Sequence, residues 1–212
     1  MKVAESFKHL KACLACLAKC LASSGFVGTG DIVWRKVRDT VVVIEFQKDR
    51  KYSTKDEIRF TVNAGISVDV LRDVAASAGG PPSSVVPRPE NCQWRQRLGH
   101  LLPAQTDLWW SVRDEQTAQL ICDEIAVGLI DIALPKVEMM ASSGALVHSW
   151  QEGRGQGLTE YERRVSLARL LIALGRKEEA QAAVQALEDA SLGKSWAASA
   201  AFDVKELRKQ LS

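Results

Sequence analysis

Arginine, asparagine and glutamine side chains gathered on one face of a sheet can grip a carboxylate or phosphate, because a planar guanidinium fork meets two oxygens at once. Alternation along three segments of this 212-residue chain brings such residues together. In residues 92–98, Arg95 and Arg97 oppose Cys92, Trp94, Gln96 and Leu98. In residues 58–68, Thr61 and Asn63 oppose Phe60, Val62 and Ala64, and Glu45, Gln47 and the adjoining Lys48 close a third such segment. Arg35 joins them if the first strand has the matching register. Adjacent residues of a strand point to opposite faces, so the Trp109-Trp110 pair offers one ring to a core and one to a partner. The competing reading is a solvated face lined with cross-strand charge pairs, such as Glu45 with an arginine.

Other chemistries find less support. Cys13, Cys16 and Cys20 form a C-x-x-C-x-x-x-C series, but no second cysteine or histidine pair completes a tetrahedral zinc set, and on an amphipathic helix free cysteine behaves as a small apolar residue. His9, His100 and His148 stand apart from any ligand or nucleophile–base spacing. Gly25, Gly28 and Gly30 lead through Asp31 into a strand rather than into the Gly-Lys-Ser/Thr and helix of a phosphate loop. Gly153, Gly155 and Gly157 have the composition of a link. No catalytic residue, cofactor or metal is expected.

These side chains must be positioned by regular elements. Phe7, Leu10, Leu14, Leu17 and Leu21 recur at helical steps up to Gly25. Segments 32–38, 41–48, 58–68, 92–98 and 108–112 read as strands, and the alternation predicts a sheet covered on one face only. Residues 77–90 hold four prolines and form a loop. Asp114 caps a helix running to Ala133, and Pro135 opens another that Gly144 ends. Thr159 and Glu162 have capping-box spacing, and residues 167–189 resemble the turn and second helix of a tetratricopeptide repeat. The expected fold is α+β: an antiparallel sheet of four to five strands with helices packed on one face over residues 1–150, then a helical C-terminal hairpin over 151–212.

At 46% apolar and 25% charged residues the chain lies in the range of folded globular proteins. No run of about 18 apolar residues is present, so no membrane association is expected. Lysines interrupt the apolar N-terminal stretch where an export signal needs continuity. Five cysteines, an odd number with three of them crowded on one helix, suit a reducing compartment, and a cytoplasmic location is expected. Residues 1–113 carry a net charge of +6 and residues 114–212 one of −4, an asymmetry too small to establish nucleic-acid binding.

Five short motifs in order, Trp34-Arg35, Phe46-Gln47-Lys48, the run Phe60 to Ile66, Cys92-x-Trp94-Arg95-x-Arg97-Leu98-Gly99 and Trp109-Trp110-x-Val112, resemble the bacterial family known as domain of unknown function 4304 over about residues 5–133. The resemblance implies a small cytoplasmic protein without an assigned activity; the Pro-rich loop and the tail beyond residue 150 depart from it. Two functions stand open. One is a non-enzymatic protein-interaction module, in its most concrete form an immunity protein, or antitoxin, that binds a toxin encoded nearby. The alternative is an anion-, nucleotide- or RNA-binding domain using Arg35, Lys48, Arg95 and Arg97.

Overall fold

A computed structural model describes residues 5–28, 30–77, 79–82 and 84–212; the lysine at position 2, part of the N-terminal stretch weighed as an export signal, lies outside them. The leucine stripe forms helix α1, Glu5–Ala22, and its Leu10, Leu14, Leu17 and Leu21 are buried. Strands β1 (Ile32–Val37), β2 (Thr40–Lys48) and β3 (Ile58–Val68) follow. Each pairs antiparallel with the next, and the two-residue turn at Arg38-Asp39 sets the first register. After helix α2 (Asp69–Ser77) and a single 3-10 turn at Pro89–Asn91 come strand β4 (Trp94–Arg97), helix α3 (Leu98–Leu101) and strand β5 (Trp110–Val112).

The far side of β3 is shared. β4 pairs with its C-terminal half, Asn63 to Ile66, and β5 with its N-terminal end, Ile58 to Phe60. Eleven residues of β3 are too many for either short partner alone; Thr61 and Val62 lie between the two pairings, and the buried Thr61 hydroxyl donates to Leu108 O at 2.8 Å there.

Helix α4, Glu115–Val127, starts at the expected Asp114 cap, which Thr117 makes reciprocal, and continues through a wide turn, Gly128–Ala133, into α5, Leu134–Met140. Pro135 sits in the first turn of α5 as expected, but Gly144 lies inside the next helix, α6 (Ser143–Gln151), because Ser142 caps a new start there. Helices α7 (Glu160–Ala173), α8 (Lys177–Ser191) and α9 (Ala197–Leu211) complete the chain, and Thr159 and Glu162 form the reciprocal cap of α7.

Val42, Ile44, Phe46, Phe60, Val62, Ala64 and Ile66 face the helices in one core that also takes Leu10 and Leu17 of α1 and Ile125 of α4. That core runs on through Trp150 of α6 into Leu167, Leu170 and Leu171 of α7 and Ala180 of α8. The tail therefore packs on the sheet unit, while α7, α8 and α9 share a smaller core of their own.

The sheet is not bare on its other side. Val41, Val43 and Cys92 are buried there against Ile32, Trp34 and Val86, under the Pro-rich loop. The continuous run Val41-Val42-Val43-Ile44 reports burial on both faces of β2, a signal that outweighs the alternation of β3. Gly65 permits the approach: a Cβ there would come within 2.7 Å of the Cys92 Sγ.

Candidate binding groove

Beyond that loop the outer face opens into a groove of about 1260 Å³, with residues of β2, β3 and β4 as its floor and the 3-10 turn, the 107–109 segment and Gln156-Gly157 as its walls. The alternation of β2 and β3 places Glu45, Gln47 and Asn63 side by side, because Glu45 pairs across the ladder with Asn63. Asn63 Nδ2 donates to Gln47 Oε1 at 2.8 Å and to Glu45 Oε2 at 3.3 Å. Arg88, from the Pro-rich loop, donates through Nη1 to Glu45 Oε1 at 2.6 Å and closes over it. Glu45 is left only 5% exposed. Burial pushes its carboxyl above the usual range, against the opposing hydrogen bond from Asn63.

The other end is built around Trp109, which directly precedes β5 and lies beside Arg97 at the end of β4. The guanidinium carbons of Arg59 and Arg97 lie 4.9 and 5.0 Å from its ring centre, within the range of a cation–π attraction. Asp107 fixes the set, accepting from Arg97 Nη1 at 2.5 Å and from Trp109 Nε1 at 3.1 Å. The Arg97 hydrogen bond holds the Asp107 carboxyl below the ordinary range.

Of the residues expected on this face, Gln47, Asn63, Arg97 and Trp109 converge in the groove. Arg95 lines it too but is committed elsewhere. Its backbone N–H donates to Gln156 O at 3.2 Å, its Nε to Gly157 O at 2.7 Å and its Nη1 to Glu90 O, so it moors the segment before α7 to the edge of β4.

Two of the other expected residues, Arg35 and Trp110, lie elsewhere, and the third, Lys48, lines the groove from a position facing the helix side of β2. Arg35 pairs with Val42 and so shares the helix-side face; its guanidinium donates to Ser24 O at 2.5 Å and to Glu138, and stacks on Phe26. Lys48 pairs with Phe60 on that same side, and its ammonium sits 4.7 Å from the Phe7 ring centre. Trp110 is core: only 6% exposed, 6.1 Å from Phe60 between ring centres, with Nε1 donating to Glu124 at 3.0 Å.

Arg59, Asp107 and Arg88 were missed. The same period that marks Thr61 and Asn63 also marks Arg59. Asp107 and Arg88 come from irregular chain, where period says nothing. Among the described residues, no group of three or more His, Cys, Asp and Glu side chains is placed to hold a metal ion. No described helix is long and apolar enough to cross a membrane.

Fold and site together define an α+β protein with an open polar groove on the partly covered face of an antiparallel sheet. The chain belongs to the family described as domain of unknown function (DUF4304), whose model matches residues 17–139, more than half of the sequence. The match takes in all five strands, Trp109 and the arginines of the groove. No curated protein and no solved structure matches the chain.

Proposed function

We propose that this chain is a non-enzymatic protein-interaction module of the bacterial cytoplasm whose groove receives the surface of another protein, with neutralisation of a toxin encoded beside it as the concrete form. The observation that carries this reading is that three of the four arginines lining the groove are already engaged. Arg97 holds Asp107, Arg88 holds Glu45 at 2.6 Å, and Arg95 holds main-chain carbonyls. A polyanion would have to compete with each carboxylate, whereas a protein of mixed surface charge can pair with both signs as they stand. Size agrees, since about 1260 Å³ of open space exceeds the ~300–1,000 Å³ of ordinary small-ligand pockets. Trp109, locked by two guanidinium groups and Asp107, is a preordered anchor of the kind that dominates interface energies.

Affinity capture from the native host, and co-expression with neighbouring toxin genes, test this. A stoichiometric protein partner is expected, with affinity lowered at least about tenfold by Trp109→Ala and left intact by Trp34→Phe on the covered half of the face. A protein that stays solitary in both settings, or a partner indifferent to Trp109→Ala, overturns it. Retention of RNA with a steep salt dependence would instead favour the anion-binding reading.

A further inference from the structure

Behind the sheet, α1 and α4 bring four thiols together. Cys13, Cys16 and Cys20 fall at i, i+3 and i+7 of α1, one stripe of a helix, on the side that buries Leu10, Leu14 and Leu17. Cys122 is buried in α4 beside Ala118 and Ile125. Helix α1 packs along α4, Cys16 lies against the core that holds Cys122, and its side chain is in hydrogen-bonding contact with those of both Cys20 and Cys122. All the cysteines are free thiols, with Cys16 half-exposed and Cys122 buried. The cluster is not arranged to hold a metal ion, which leaves the chemistry of neighbouring thiols.

We propose that Cys16 and Cys122 form an oxidative modification site, at which a peroxide joins α1 to α4 through a disulfide. The accessible thiol reacts first. The Cys16 thiolate attacks one peroxide oxygen, the O–O bond breaks and the departing oxygen leaves as water, so that Cys16 becomes a sulfenic acid. The Cys122 sulfur then attacks the Cys16 sulfur, the S–O bond breaks, and the hydroxyl leaves with the Cys122 proton as a second water. The two sulfurs supply the two electrons that reduce one hydrogen peroxide to two waters. Cys20 is a poor substitute for Cys122, because side chains projecting in parallel from one helix must turn toward each other to bond.

The intact, fully reduced protein is treated with hydrogen peroxide, alkylated and mapped by mass spectrometry without reduction. The expected product is lighter by two hydrogen atoms, contains a cross-linked pair of peptides bearing Cys16 and Cys122, reverts with dithiothreitol and unfolds at a higher temperature. Cys20→Ser is expected to retain it and Cys16→Ser to abolish it. A cross-link between Cys16 and Cys20, over-oxidation of Cys16 without any cross-link, or an unchanged mass under conditions that oxidise free cysteine overturns the proposal.

Discussion

Glu45 is a carboxylate shut beneath the half-exposed Arg88, and its raised proton affinity comes first from burial. A group that binds its proton more tightly in the folded than in the unfolded chain favours folding at low pH. That advantage fades as pH rises through its folded pKa. Glu45→Gln, which keeps the shape and one carbonyl acceptor, is therefore expected to gain stability relative to the wild type between about pH 4 and pH 7. Thermal unfolding of the pair across that range checks the sign, and a gap that shrinks as pH rises contradicts it. At this scale the sequence announced Gln47, Asn63 and Arg97 through strict alternation. Arg35 was not readable in the same way, because β1 mixes Val33, Arg35 and Val37 on one side with Ile32, Trp34 and Lys36 on the other. Only its pairing with β2 decides which side is covered.

Caps and close approaches govern the elements. Thr159 accepts from the Glu162 N–H at 3.2 Å, and Glu162 reaches back to the Thr159 N–H at 2.7 Å. Thr159→Ala is expected to cost about 1 kcal/mol, measurable by urea unfolding. Gly153 and Gly157 offer a sharper comparison. Both have positive φ, 83° and 76°, yet a Cβ at Gly153 meets open space whereas one at Gly157 runs into the backbone and side chain of Arg95. Gly153→Ala should lose only the left-handed penalty of ~1–2 kcal/mol, and Gly157→Ala distinctly more. Equal losses would mean that the link does not rest on β4. Helix starts at Asp114 and Thr159 were legible because a capping side chain is a local device. Helix α2 was not anticipated; it is amphipathic but only nine residues long, follows β3 without a break at Asp69 and buries none of its residues fully, so no turn residue separated it from the strand.

The whole molecule is organised by one core that does not stop at residue 151. Trp150 is fully buried between the sheet unit and the tail. Trp150→Ala is expected to destabilise by about 3–5 kcal/mol. The wild-type chain should also unfold in a single transition, seen alike by tryptophan fluorescence and far-ultraviolet circular dichroism. Two separated transitions would show that the tail and the sheet melt independently. A lone helical hairpin must hide its apolar side; the sequence could not say where, since that depends on surfaces far apart along the chain, such as the contact of α7 with α2. The second, smaller core under the Pro-rich loop was concealed for a related reason, because irregular chain carries no period that reveals what it covers.

One arginine makes these scales meet. The strand that floors the groove and the strap that begins the last helices are tied together at Arg95, by main chain and side chain alike. Any visitor that pushes the strap aside must spend part of its affinity on casting off the tail, and any visitor that presses it home tightens the tail in return. By the reciprocity of linked equilibria, a change made sixty residues away in the tail is then felt as a change in grip.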